Sequence, residues 1–386
     1  MAWEKVKLGD IADVTSSKRV FANQYVDKGI PFYRQKEIIE RNNKQEISDP
    51  LFISQDLYDD IKKKYGVPQK NDLLITGVGA TLGIPYVIGN ETFYFKDGNL
   101  IWVKNFSSKA DSKYIYYYMS SGAGQKAMWS RTIGAAQPAL TIDIVKQYEI
   151  PLPDIKIQKR IADILSAYDN LIENNQKQIK LLEEAAQRLY KQWFIDLRFP
   201  GHETTKIVDG LPEGWRKGSI GDIAEFKRGK VITKGDVVEG NVPVVAGGLE
   251  PAYYHNASFT ESPVITVSGS GANAGFARMY FQKIWASDCS YVDSSATIFI
   301  YFVYSFLKEN KKSLDSLQKG AAQPHVYAKD INALKLNCPP KDLLVKFEKS
   351  VKPLFDKIGK CQNVIEKSKD ARDRLLPKLM SKKMEV

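Results

Sequence analysis

Two glycine-rich blocks are the first places in this sequence where residue type and spacing could do chemistry. They are Thr76-Gly77-Val78-Gly79-Ala80-Thr81-Leu82-Gly83 and Ser268-Gly269-Ser270-Gly271-Ala272-Asn273-Ala274-Gly275. A nucleotide-phosphate cradle needs GxxxxGK followed by Ser or Thr, or GxGxxG ahead of a helix, and neither block matches. Their small and hydroxyl side chains let the backbone approach either a neighbouring strand or a DNA phosphate. The histidines, His202, His255 and His325, are widely separated and form no HExxH. Cys289, Cys338 and Cys361 have no CxxC spacing, which argues against a disulfide framework or a zinc site and fits a reducing cytoplasm. No Asn/Asp-Pro-Pro-aromatic methyltransferase motif and no nuclease-like carboxylate cluster occurs. The sequence therefore predicts no catalytic centre, no cofactor and no metal of its own.

What remains is recognition. The 386 residues carry 56 Lys+Arg against 45 Asp+Glu, a net charge of +11, which favours a polyanionic partner, nucleic acid first. Phosphate-contact candidates near loops are Lys18, Arg19, Arg34, Lys36 and Arg131, then Lys227, Arg228, Lys230, Arg278 and Lys319. Each is equally a solvated surface charge. Polar candidates for reading base edges are Thr76, Thr81, Gln137, Ser268, Asn273, Gln323 and His325. The two glutamines precede prolines and can equally satisfy a turn. Met1 to Ala12 lacks a signal pattern, and the longest apolar run, Ala296 to Leu307, is too short to span a bilayer, so a cytoplasmic chain with no membrane insertion is expected.

The elements that must position these residues are written twice. Trp3, Leu8-Gly9-Asp10-Ile11-Ala12 and Ile30-Pro31 recur 212 positions later as Trp215, Ile220-Gly221-Asp222-Ile223-Ala224 and Val242-Pro243. The glycine blocks match at a shift of 192, and Gly134-Ala135-Ala136-Gln137-Pro138 recurs identically as Gly320-Ala321-Ala322-Gln323-Pro324. Such ordered recurrence marks an internal duplication. Ile38 to Val67 and Glu250 to Thr260 have no counterpart in the other copy, the pattern of one scaffold carrying divergent insertions.

Strands are predicted at Leu73 to Thr76, Thr92 to Phe95, Ile101 to Val103, Val264 to Val267 and Thr297 to Tyr301. Helices are predicted at Ser54 to Lys64, Ser112 to Met119, Tyr301 to Asn310 and around the early Gly-Asp-Ile-Ala block, Tyr301 suiting either neighbour. After each module glycine nearly disappears. Ile161, Ile164, Tyr168, Leu171, Asn175, Ile179, Leu182, Ala186, Leu189 and Trp193 follow in threes and fours, broken once at Asn175, the spacing of a coiled-coil seam with one stutter. Leu344, Phe347, Val351, Leu354, Ile358, Cys361, Ile365, Ser368, Arg372, Leu375 and Leu379 form a second seam. Two such seams can pair antiparallel as a rod on the order of 50 Å long. Each helix packing only on its own module is the alternative. Pro353 is expected to interrupt the second helix and Pro377 to end it. The large apolar helix residues Trp193, Phe194 and Phe355 can either dock a partner or finish the internal core.

The order of these blocks resembles the specificity (S) subunit of type I restriction-modification systems. It includes Asp72 to Gly79, Ile150-Pro151-Leu152-Pro153, Leu189 to Gly201 with Trp193-Phe194, and Arg374-Leu375-Leu376-Pro377-Lys378-Leu379-Met380. The resemblance spans essentially the whole chain. It implies an α+β chain of two similar mixed α/β target-recognition domains, each followed by a long helix, the two helices pairing as an antiparallel coiled coil. The expected division is 1–153, recognition domain 1; 154–198, helix 1; 199–340, recognition domain 2; and 341–386, helix 2. Each domain would read half of a bipartite double-stranded DNA site. The coiled coil would set the spacer and recruit two modification subunits, which use S-adenosylmethionine, and restriction subunits, which use ATP. A coiled-coil scaffold that binds proteins and not DNA is the competing class.

Overall fold

A computed structural model describes residues 3–43, 47–132, 138–320 and 324–384. It divides into two compact units, unit 1 (Met1–Asn174 with Ile365–Val386) and unit 2 (Asn175–Val364).

Unit 1 begins with β1 (Lys5–Lys7), β2 (Asp13–Thr15), β3 (Tyr25–Val26), β4 (Ile30–Tyr33), α1 (Gln35–Asn42), β5 (Leu51–Ile53) and α2 (Gln55–Tyr65). There follow β6 (Leu73–Thr76), β7 (Pro85–Val87), β8 (Tyr94–Phe95), β9 (Leu100–Lys104), α3 (Ser112–Ser120), α4 (Gly122–Trp129), α5 (Ile142–Lys146), β10 (Glu149–Pro151) and α6 (Ile155–Tyr190), of which residues 155–174 belong here. One sheet has the order β2-β9-β6-β7, another β3-β5-β4-β8, and β1 pairs with β10. Both faces of β6 are covered: Leu73 and Ile75 enter the cluster built with α3 and α6, while Leu74 enters the cluster with Phe93, Phe95 and Trp102.

Unit 2 holds the hairpin β11 (Ile207–Val208) and β12 (Leu211–Pro212), then β13 (Arg216–Ser219), β14 (Lys227–Arg228), β15 (Glu239–Val245) and β16 (Tyr253–His255). It continues through β17 (Val264–Ser268), β18 (Ala277–Tyr280), β19 (Trp285–Ala286), β20 (Cys289–Asp293), α7 (Ile300–Glu309), α8 (Lys311–Asp315), α9 (Ala328–Asn332) and β21 (Lys335–Cys338) into α10 (Lys341–Met380). Its sheets, β14-β20-β17-β18, β16-β15-β19 and β13-β21, follow the strand order of unit 1, except that the second has three strands where unit 1 has four. In both units the second sheet contains one parallel pair, Phe32 beside Tyr94 and Val244 beside Trp285. The insertions also have a structural relation the sequence hides: β5 and β16 both lie antiparallel to the strand that carries the parallel pair, β4 or β15, and unit 1 adds α1 and α2 around β5.

The long helices pair antiparallel within each unit. In unit 1, Arg372 of α10 donates to Asp169 of α6 at 2.7 Å, and Ile161 and Leu165 share a core with Leu379. The same Asp169 accepts from the Tyr117 hydroxyl at 2.5 Å, so one carboxylate ties α3, α6 and α10 together. In unit 2, Cys361 lies against Gln178, and farther along α6 Tyr190 lies against Phe347.

Four local expectations change. The seam of α6 has no stutter: Leu165 is fully buried where Ile164 is only half-buried, and Ile172 is buried where Leu171 is exposed, so Ile161, Leu165, Tyr168, Ile172, Asn175, Ile179, Leu182, Ala186, Leu189 and Trp193 alternate fours and threes without a break. Neither Pro353 nor Pro377 interrupts α10. Buried Val351, Phe355 and Ile358 flank Pro353, and their packing outweighs the roughly 3 kcal/mol that a helix-interior proline costs. Thr297 to Tyr301 is not a strand; the Thr297 hydroxyl accepts from the Phe299 N–H at 3.1 Å and α7 starts at Ile300. Each Gly-Asp-Ile-Ala block forms a single 3-10 turn, Leu8–Asp10 and Ile220–Asp222, rather than a longer helix.

Glu348 of α10 accepts from the Phe302 N–H at 2.7 Å at the start of α7, yet burial outweighs this hydrogen bond and pushes its carboxyl up to about 8. The folded state therefore holds a proton that the unfolded chain releases above the ordinary value of 4.5. Stability from this group is fully present below that value and is lost as pH rises to about 8. Glu348→Gln is expected to flatten that part of the stability–pH curve of unit 2. An unchanged slope in urea melts across this range would refute the assignment.

Candidate nucleic-acid interface

The two glycine blocks occupy equivalent loops, and each is clasped by the loop that follows its Gly-Ala-Ala-Gln-Pro segment. In unit 1, Val78 and Ala139 form an antiparallel bridge, Gly79 N–H donates to the Pro138 carbonyl at 2.9 Å, and Leu140 N–H donates to the Gly77 carbonyl at 2.8 Å. In unit 2, Ser270 bridges His325, Gly271 donates to Pro324 at 3.1 Å, and Val326 donates to Gly269 at 3.0 Å. The glycines also admit a second backbone on another side, the residue that leads into β9 or β20: a Cβ at Gly77 would stand 3.2 Å from the Asn99 carbonyl oxygen, and one at Gly269 3.2 Å from that of Asp288. Gly79 and Gly271 take the left-handed conformation that opens the 3-10 turn of each loop.

Gln35, which sequence reasoning did not single out, fixes the unit 1 loop. Its amide donates to the Val78 carbonyl at 2.7 Å and to the Thr81 hydroxyl at 3.0 Å, and its oxygen accepts from the Val78 N–H at 3.3 Å. At the equivalent place in unit 2 the Gly247 carbonyl accepts from the Ser268 hydroxyl at 3.0 Å. The only available signal was the position, directly after the β4 strand that both copies share.

Of the polar candidates, Thr76 and Ser268 are buried and spend their hydroxyls inside the loops, so they present nothing to a base. Thr81 is exposed, Asn273 half-buried, and the His325 ring stacks on exposed Tyr327 at 6.1 Å. Gln137 and Gln323 lie outside the described residues.

The cations sort by partner. Arg19 pairs with Asp97 at 2.7 Å, Arg34 with buried Glu37 and with Asp49, Lys36 with Glu40, Arg131 with Glu149, Arg278 with Glu250 and Lys319 with Asp330. Arg34 also opens α1, so its charge serves the fold. Lys18, Lys227, Arg228 and Lys230 are exposed and make no ion pair among the described residues. Lys227 and Arg228 form β14, an edge of the main sheet.

Trp193, Phe194 and Phe355, the candidates for partner docking, are 7%, 6% and 2% exposed and belong to the core of unit 2. Phe194 packs on Phe302 and Phe347 with centroids 4.9 and 5.0 Å apart, and Phe355 stacks on Tyr301 at 4.5 Å. The side chains are used up inside the fold, which supports the core alternative over docking. Among the described residues no group of three His, Cys, Asp or Glu could hold a metal ion, and no helix is long and apolar enough to cross a membrane.

The described residues form a duplicated α+β unit, each copy followed by a long helix that pairs antiparallel with the other. The model of the type I restriction modification DNA specificity domain matches residues 2–184 and again 212–356, and the chain belongs to that family. It is 30% identical over 303 residues to the type I restriction enzyme MjaIX specificity subunit of Methanocaldococcus jannaschii, covering 71% of this chain and 69% of that protein. A second protein of that organism, the putative MjaX specificity subunit, is 24% identical across 100% of this chain and 94% of its own. The crystal structure of a type I restriction-modification S subunit from M. genitalium superposes with a TM-score of 0.64 at 18% identity, covering 98% of this chain and 96% of that one, which shows the shared fold.

Proposed function

We propose that the chain is the non-catalytic reader of a type I restriction-modification complex in the cytoplasm, and that each unit recognises one half of a bipartite duplex site. The observation that carries this is the repeated loop clasp: Val78–Ala139 and Ser270–His325 are the same bridge built from different side chains. A common frame presenting different surfaces suits two different half-sites. Residues 1–153 and 199–340 then act as recognition domains, and 154–198 and 341–386 as the helices that fix the unread gap. Thr81, Asn273 and His325, with Lys18, Lys227, Arg228 and Lys230, are the described residues that support a DNA-facing role. Methyl transfer with S-adenosylmethionine and ATP-driven restriction belong to modification and restriction subunits that this chain recruits.

Exchange of residues 1–153 for those of another family member is expected to change one half of the methylated site and leave the other half intact. Mapping methylated adenines in cells carrying the chimera measures this. Alteration of both halves would overturn the assignment of one unit to one half.

A further inference from the structure

We propose that Lys18 and Lys230 are equivalent phosphate contacts of the two units, each mounted on an aromatic ring supplied by the segment in which the copies differ. The inference rests on the chain binding duplex DNA and names where each unit grips the backbone. The two lysines stand 212 positions apart, in the register of the repeated Trp, Gly-Asp-Ile-Ala and Pro positions. Each precedes an equivalent 3-10 turn, Ala22–Gln24 and Lys234–Asp236.

Their backbones are anchored by the same aromatic position, through the N–H in one unit and the carbonyl in the other. Lys18 N–H donates to the Tyr94 hydroxyl at 2.7 Å, and the Trp285 indole N–H donates to the Lys230 carbonyl at 2.7 Å. Tyr94 and Trp285 are themselves equivalent, since each lies beside the matching residue of the parallel pair, Phe32 or Val244. The lysine ends are supported alike. The Lys18 ammonium lies 5.3 Å from the Tyr65 ring centroid, and that of Lys230 lies 4.8 Å from the Phe259 centroid. Tyr65 comes from the 38–67 insertion and Phe259 from the 250–260 insertion, which share no sequence.

Two unrelated segments thus place a ring under the same lysine. A carboxylate there would neutralise the charge; a ring face orients it and leaves it available. Around Lys18 the surface is concave, a groove of about 750 Å³ shared with Arg19, Lys64, Gln24, Tyr65 and Phe21, the last 60% exposed. Three cations against Asp60 make this groove complementary to a phosphodiester backbone. Arg19 contributes less, because Asp97 holds it.

The test uses the full chain assembled with its modification subunits and a duplex carrying the mapped site, titrated over a salt series. Lys18→Gln and Lys230→Gln are each expected to make the slope of log affinity against log salt shallower by about 0.9, and the double variant by about twice that. Base preference should stay as in the unaltered protein. Lys18→Arg and Lys230→Arg keep the charge and should keep the slope. Tyr65→Ala should weaken binding in the unaltered chain but not in the Lys18→Gln background, the signature of a positioning residue. Slopes equal to the unaltered protein in both Gln variants, or an additive effect of Tyr65→Ala, would overturn the proposal. Absence of DNA binding by the unaltered complex at every salt concentration would instead remove the DNA-reading function on which it rests.

Discussion

Replacing Phe194 by alanine is expected to lower the stability of unit 2 by about 3–5 kcal/mol, the usual loss for a buried phenylalanine. The side chain lies in the π-turn Lys191–Ile195 that closes α6, and Tyr190, Phe302 and Phe347 surround it. Removing the ring leaves a void among rigid aromatics that cannot collapse into it, so the loss falls at the high end for a core site. With two compact units in the chain, a single melting curve does not report on unit 2 alone. Amide exchange of β17 and α7 under mild denaturant reads unit 2 alone. If Phe194 were a docking residue, the substitution would weaken co-purification of modification subunits while exchange stayed unchanged. A loss under about 1 kcal/mol would reject the core assignment.

Lengthening both long helices together is expected to move the recognised half-sites apart. Seven residues inserted between Gln178 and Ile179, and seven between Lys360 and Cys361, add one heptad to each side at a place where the helices face each other. The added axial rise is about 10 Å, close to three base pairs at about 3.4 Å each. The methylated site should keep both half-sequences and gain about three unread base pairs. Insertion into α6 alone would shift its seam against α10 and is expected to abolish activity. A functional double-insertion variant that methylates the original spacing would refute the spacer role.

Much of this architecture was legible because repetition is visible in letters. The shift of 212 marks equivalent positions in the two copies, and Leu344, Phe347, Val351, Ile358 and Cys361 of the second seam are buried, although Phe355, off that seam, is more buried than Leu354 on it. The first seam was misread at two places, Ile164 for Leu165 and Leu171 for Ile172, because each adjacent pair offers two apolar choices and only burial chooses between them. The prolines misled for a related reason: propensity is local, whereas α10 is held by contacts from distant residues. In α7, the residues from Ile300 to Leu307 are all buried, so its ends carried no alternation to separate helix from strand.

The candidate site was less legible than the frame. Charge type could not tell Lys18 from Arg34, since the difference lies in partners such as Glu37 and Asp49 that folding brings near. Nor could hydroxyl type tell Thr81 from Thr76, which occupies a buried strand end. Gln35 carries no motif at all; only the orientation of its amide against Val78 identifies it.

Unit 1 is discontinuous, and this has a consequence for how the molecule is made. Its core takes Leu379 and Met380 from α10, with Leu375 and Leu376 packed beside them, whereas unit 2 is one unbroken stretch of chain. On the ribosome, unit 1 must wait for residues that are translated after the whole of unit 2. That departs from the ordinary sequence in which domains mature from the N-terminus during synthesis. A released chain truncated after Val364 would keep every residue of unit 2 and leave part of the apolar surface of unit 1 bare, the kind of surface a chaperone binds.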